Sequence, residues 1–271
     1  MELDCAQLLI LVPGVVTAIW AIVTFTLQWQ AKQREEQKRI SALYTNPFML
    51  ACQELQSRLY NILKKGGLGA LNAQDRGNHS HADETIYLVA QYFGWERYMF
   101  RYSPYARDPE VFRLTEAIRD TFATDSILIP RDESSEWPEP FLFFRYQQKE
   151  LGQLILQNSE GPAGWQAETI SCHAFREQLD RRKDELPSVE ATRKAIEKAS
   201  MKSDLGNRAL GRLTEVQNHL VTLLAYLEGK EEFSLFAGVR QTAPRTDDHW
   251  LAWTTKQPWS QAREAQGQAS L

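Results

Sequence analysis

Residues 46–63 read Asn46-Pro47-Phe48-Met49-Leu50-Ala51-Cys52-Gln53-Glu54-Leu55-Gln56-Ser57-Arg58-Leu59-Tyr60-Asn61-Ile62-Leu63. Phe48, Cys52, Leu55, Leu59 and Ile62 recur at intervals of four, three, four and three, which places them on one face of a helix. Asn46-Pro47 reads as an N-cap followed by the first helical residue, and Gly66-Gly67 as the stop. A helix with one apolar face must bury that face, so this stretch points to a helical bundle.

Downstream the same period returns. Ile86, Val89, Tyr92, Phe93, Met99 and Phe100 repeat over Ala82–Tyr102, and Ser103-Pro104 ends the run. Asp108-Pro109 opens a further helix with Val111, Phe112, Ile118 and Phe122 as its inward side. Gln147–Leu156 carries Leu151, Leu154 and Ile155 at helical spacing, and Ser171–Asp180 suits a short helix. Arg181–Ser200 is charged and helical in composition, with a restart at Pro187. Arg208–Glu228 is the last strong helix, with Leu210, Leu213, Val216 or Gln217, Leu220, Leu224 and Leu227 as its stripe and Gly229 as its cap. Two short apolar runs bounded by proline, Ile127–Ile129 and Phe141–Phe144, predict a minor two-stranded β element.

Upstream, Lys32 with Glu36 and Glu35 with Arg39 form opposite-charge pairs at i,i+4, as in a solvated helical stalk. Before it, Leu8–Leu27 contains no charged residue. Twenty helical residues span about 30 Å, the thickness of a bilayer core. The leading residues Glu2 and Asp4, and the exit Leu27-Gln28-Trp29-Gln30, do not resemble a cleaved signal peptide. Lys32, Arg34, Lys38 and Arg39 follow the run. By the positive-inside rule the N-terminus then lies outside and the C-terminal part in the cytoplasm.

The expected architecture is therefore mainly α. It has a single N-terminal transmembrane helix (1–30), a polar helical stalk (31–45), and a helical cytoplasmic bundle (46–230) with one minor two-stranded element. A mobile tail (231–271) closes the chain, and its Trp250, Trp253 and Trp259 are candidate anchors for a protein partner. The lipid bilayer is the first expected partner.

Charged residues make up 24% of the chain and the net charge is -4, which argues against a nucleic-acid reader. Cys5, Cys52 and Cys172 are far apart, unlike a disulfide scaffold or a zinc site. His79-x-His81 sits in a glycine- and polar-rich loop and reads as solvated rather than metal-binding; Asn78-His79-Ser80 is a sequon that this topology leaves unmodified. Cys172-His173 puts a thiol beside an imidazole, but adjacent residues point apart, and a buried thiol is the reading. Phosphate-loop, dinucleotide, zinc-protease and nucleophile-elbow motifs do not occur. Neither a metal nor a cofactor is expected.

The helix quoted above resembles a widespread group of uncharacterised helical proteins. The resemblance extends to Tyr87–Trp95, centred on Ala90-Gln91-Tyr92-Phe93, and to an Arg-x-x-Gln segment leading into an apolar helix, here Arg145–Leu156. It covers about Thr45 to Leu227, with Leu55–Leu63 its most specific part. The chain departs from the group at Tyr146-Gln147, where the group carries Gly-Glu. The resemblance implies a recurrent fold and transfers no activity.

The remaining candidates are polar residues set in apolar helices: Gln56, Ser57, Arg58 and Asn61, then Gln91, Glu96 and Arg97, then Arg145 and Gln148. Arg58 or Arg145 is expected to pair with Glu96, because a buried charge without a partner costs several kcal/mol. Such a set either fixes helix register or forms an anion-binding pocket from Arg58, Glu96, Arg145 and Gln148. Glu96 or Glu54 as a general acid or base is a third use. The expected function is a membrane-anchored interaction or sensory module. Its rivals are a membrane-surface enzyme or anionic-ligand-binding protein using Arg58, Glu96 and Arg145, and a membrane-acting effector whose spans pack through Gly14, Ala18 and Ala21.

Overall fold

A computed structural model describes residues 5–65, 81–124, 138–161, 164–202, 205–231 and 240–243, with side chains 5–15, 18, 65, 159–166, 202, 207 and 231 outside the description. The chain is mainly helical, with one two-stranded sheet. Helix α1 is Cys5–Ile40. From Val16 to Arg39 almost every described side chain is exposed, so α1 stands clear of the core. Among the described residues no helix is long and apolar enough to cross a membrane. Leu8–Leu27 is thus helical, as expected, without qualifying as a span on the residues described; its side chains to residue 15 lie outside the description.

The expected N-cap at Asn46 is corrected. A π-helical turn, Ser41–Thr45, joins α1 directly to α2, Asn46–Lys65. Asn46 itself is helical, and its N–H donates to the Ser41 carbonyl, five residues back. The reason lies in Pro47. A proline inside a helix has no N–H to give and its ring crowds the carbonyl four residues earlier. A wider π turn absorbs that crowding without breaking the helix. The turn is buttressed by the end of the next helix: Thr45 and Ser103 share a buried hydroxyl bond of 2.9 Å, and Tyr44 stacks on Tyr102 at 4.9 Å.

Helix α3, His81–Tyr102, is the centre of the bundle. A 3-10 turn at Pro104–Arg107 leads to α4, Pro109–Ala123, capped by the Asp108 carboxylate, which accepts from the N–H groups of Glu110 and Val111. Helix α5 is Arg145–Ile155, α6 is Cys172–Arg181, α7 is Pro187–Lys202 and α8 is Gly206–Glu231. Gly229 does not cap α8; the helix runs past it. The periodic residues of α2, α3 and α8 close into one core, among them Phe48, Leu55, Leu59, Ile86, Val89, Tyr92, Leu220 and Leu224, all fully buried. Each buried large apolar side chain contributes roughly 1.5–3 kcal/mol.

The β element exists, but elsewhere. Leu156–Gly161 (β1) pairs antiparallel with Gly164–Thr169 (β2), in register from Leu156 opposite Thr169 to Gly161 opposite Gly164. Phe141–Phe144 is an irregular crossing, not a strand, and Ile127–Ile129 lies outside the described residues. Phe141, Leu142 and Phe143 are all buried, so the aromatic run is core filling. Phe141 has a φ of 61°, a conformation costly for a side chain with a Cβ, and burial of its ring holds it there. The Phe143 N–H donates to the Phe122 carbonyl at 2.9 Å.

Two buried ion networks lock the outer helices. Asp83 on α3 receives Arg193 of α7 through two bonds, 2.7 and 3.0 Å, and lies 3.3 Å from Arg176 of α6. Glu139 sits between Arg208 and Arg212 of α8, at 2.6 and 3.2 Å. Arg212 also donates to the Thr124 carbonyl at 2.9 Å. Arg240–Ala243, within the segment expected as a tail, dock on α2 and α8. Arg240 grips Glu228 through two 2.6 Å bonds and Gln53 through another, and Ala243 N–H donates to Gln217 and Asn218. Trp250, Trp253 and Trp259 lie outside the described residues, as do Asn78 and His79.

Candidate functional site

The residues singled out in the sequence do not all meet. Arg58 lies at the start of α3, where it donates to the Thr85 hydroxyl (3.0 Å) and the His81 carbonyl (3.1 Å) and faces Glu84 at 3.5 Å. Burial lowers the Arg58 pKa, with Glu84 opposing the shift. Arg58 therefore fastens α2 to the first turn of α3, and its expected pairing with Glu96 is corrected.

Glu96 and Gln148 do converge, on a cleft where α3, α4 and α5 meet, and Arg145 stands behind its wall against Glu116. The convergence has a steric cause. Helices α3 and α5 cross where Gly94 meets Gly152: a Cβ built on Gly152 would lie 3.0 Å from the Phe93 carbonyl carbon, and one on Gly94 would lie 3.2 Å from the Gly152 carbonyl oxygen. This close approach brings Gln148, one turn before Gly152, against α4. Gln148 is buried and saturated. Its amide donates to the carbonyls of Arg119 (2.8 Å) and Phe143 (2.9 Å), and its oxygen accepts from Arg119 Nε (3.3 Å).

Gln148 thereby aims Arg119 at Glu96, whose Oε2 is 3.9 Å from Arg119 Nε. Arg119 also holds Glu116 at 3.0 Å, Glu116 holds Arg145 at 2.8 Å, and Arg145 in turn bonds Asp120. Arg145 thus reaches Glu96 only through this chain. Arg119, Glu116 and Asp120 were not singled out in the sequence. An Arg and a Glu at i,i+3 on an amphipathic helix read as a solvated pair, and only packing by α5 turns them inward.

Glu96 is 5% exposed, and its Oε1 has no hydrogen-bond partner. Burial pushes its carboxyl up to about 8; Arg119 and Arg145 oppose the shift and Glu116 adds to it. Near neutral pH the group is mostly protonated. Beside it, burial holds the Tyr92 phenol and the Cys52 thiol well above their ordinary values, and any Glu96 charge raises both further.

The cleft over Glu96 has a volume of about 470 Å³, within the range of small-molecule sites. Phe112, expected to face inward, is 56% exposed and lines it. Its ring meets Phe100 edge-on at 6.0 Å. A second hollow of about 400 Å³ lies between the π turn and β2, lined by Tyr44, Pro47, Trp95 and Glu168. Among the described residues no group of three or more His, Cys, Asp or Glu could hold a metal ion. Cys52 is buried and Cys172 half-buried, both as free thiols. Comparison of the chain with protein-family models, with curated proteins and with solved structures finds no match.

Proposed function

We propose that this protein is a membrane-anchored interaction or sensory module, its helical bundle carried on α1. The observation behind this reading is the surface of α1. Val16, Ile19, Trp20, Ile22, Val23, Phe25 and Leu27 are all exposed. At 100° per residue five of them fall within about 100° of arc, Ile22 and Phe25 reach round to the opposite side, and no charged residue stands between Val16 and Leu27. Water does not favour such a surface, and hydrocarbon does. Thr24 and Thr26 bond back to helix carbonyls at 2.8–3.0 Å, the usual means of satisfying a hydroxyl in lipid. The basic residues after the run then set the N-terminus outside and the bundle in the cytoplasm.

Fractionation tests this. Full-length protein should stay in the membrane pellet after an alkaline carbonate wash, and a variant lacking residues 1–30 should move to the supernatant. Release of the full-length chain by carbonate would overturn the anchor. Protease protection in sealed vesicles reads the orientation.

A second reading has its own support. Glu96, which lines an aromatic-walled cleft and keeps a buried Oε1 without a partner, favours a small ligand as what the module senses. On that reading Glu96, Arg119 and Gln148 form the binding floor, and Arg145 braces it through Glu116. Substituting Glu96 should then alter ligand response without altering membrane association.

A further inference from the structure

We propose that the α3–α4–α5 cleft binds a small amphipathic anion, with its oxyanion on Glu96 and Arg119 and its flat apolar body against Phe100 and Phe112. The inference rests on the second reading above and names its ligand class.

Charge is the first argument. Arg97 of α3 and Lys149 of α5 line the mouth of the cleft, and neither makes an ion pair or hydrogen bond among the described residues. A smaller hollow of about 130 Å³ adjoins it, sharing Arg97 and adding Arg101. The acids on the opposite wall are already engaged: Glu116 by Arg119 and Arg145, and Asp120 by Arg145. The mouth therefore presents uncompensated positive charge, which draws in an anion and repels a cation.

Chemistry at the floor is the second. A buried polar atom without a partner is costly, and a ligand that supplies the partner recovers that cost. The Glu96 carboxyl, kept protonated by burial, offers an O–H to an oxyanion, and the Arg119 guanidinium beside it adds a charged donor. The third argument is shape. The Phe112 ring is half uncovered, and its edge-on packing against Phe100 leaves aromatic surface for a flat or apolar body.

The test is calorimetric titration of full-length protein in phosphatidylcholine nanodiscs, with empty nanodiscs subtracted. The probes are indole-3-acetate, phenyl phosphate and the cationic isostere tryptamine. At least one anion should saturate a single site with a Kd below about 1 mM, and tryptamine should not. Tighter binding of phenyl phosphate assigns a phosphate ligand, and tighter binding of indole-3-acetate a carboxylate. The double variant R97A/K149A should weaken the anion about tenfold with an unchanged Tm. Three results overturn the proposal: no saturable binding of either anion to about 10 mM, tryptamine binding as tightly, or full affinity in R97A/K149A. None of these touches the anchor, which the carbonate wash of the same protein reads separately.

Discussion

Gly94 and Gly152 face each other across the α3–α5 crossing with no room for a methyl group on either. A Cβ on Gly152 would meet the Phe93 carbonyl carbon and oxygen at 3.0 Å and the Gly94 nitrogen at 3.1 Å, all backbone. Main chain cannot rotate aside, so Gly152→Ala should force the helices apart at a cost of about 1–3 kcal/mol. A Cβ on Gly94 meets first the Ile155 Cγ2 at 2.5 Å, a branch methyl of a fully buried side chain whose χ1 is stiff in a helix. Gly94→Ala should therefore cost more than Gly152→Ala. Thermal unfolding followed by circular dichroism ranks the two, and the reverse order would refute the crossing geometry.

Glu96 makes stability fall as pH rises. Its carboxyl sits at about 8 when folded and near the ordinary value of about 4.3 when unfolded. Between those values the folded state holds a proton that the unfolded state has released, so the proton favours folding at low pH. That contribution is complete below about 4.3, declines as pH rises, and is gone above about 8. Glu96→Gln keeps the shape and removes the titration. The variant should gain on the wild type by a few kcal/mol, to order of magnitude, between pH 5 and 9. Parallel urea curves for the two proteins at both pH values would show otherwise if their stability difference stayed constant.

Arg212 is fully buried on α8. It neutralises Glu139 and satisfies the Thr124 carbonyl. Arg212→Met fills the volume but strands the Thr124 carbonyl, while Glu139 keeps Arg208 at 2.6 Å. The expected loss is about 1–3 kcal/mol. Arg182→Met, at an exposed pair with Glu185, should cost under about 1 kcal/mol. Equal effects in chemical denaturation would deny the buried network its role.

Asp83 joins α3 to α6 and α7 through Arg176 and Arg193. Asp83→Asn removes the carboxylate shared by the two guanidinium groups, while Arg193 keeps Asp180, Glu190 and Glu197, and should cost about 1–3 kcal/mol. The loss should be local first. Hydrogen exchange is expected to rise in residues 172–202 before it rises in α2 or α8; uniform exchange would argue against this division.

Helices α2, α3, α4 and α8 were legible because each repeats apolar residues at helical spacing over three turns or more. The strands were not. Runs such as Leu156-Gln157-Asn158 are too polar to announce a strand, whereas Phe141–Phe143 has a strand-like composition and serves as core filling. The site was half legible. Glu96 and Gln148 stood out as polar residues among apolar neighbours. Arg119 and Glu116 did not, because α4 alone gives them no reason to face inward; that comes from the Gln148 amide and from two glycines whose meaning appears only when their helices cross.

The π turn at Ser41–Thr45 has a consequence for how α1 is oriented. One additional residue in a helical turn advances every side chain beyond it by about 100°. The azimuth at which α1 leaves the bundle is thus set by Pro47 and by the Thr45–Ser103 and Tyr44–Tyr102 clasp, not by any preference within α1. Tyr102 at the end of α3 and the Ser103 hydroxyl just beyond it act as the index mark of a dial, fixing the one bearing at which α1 leaves the bundle.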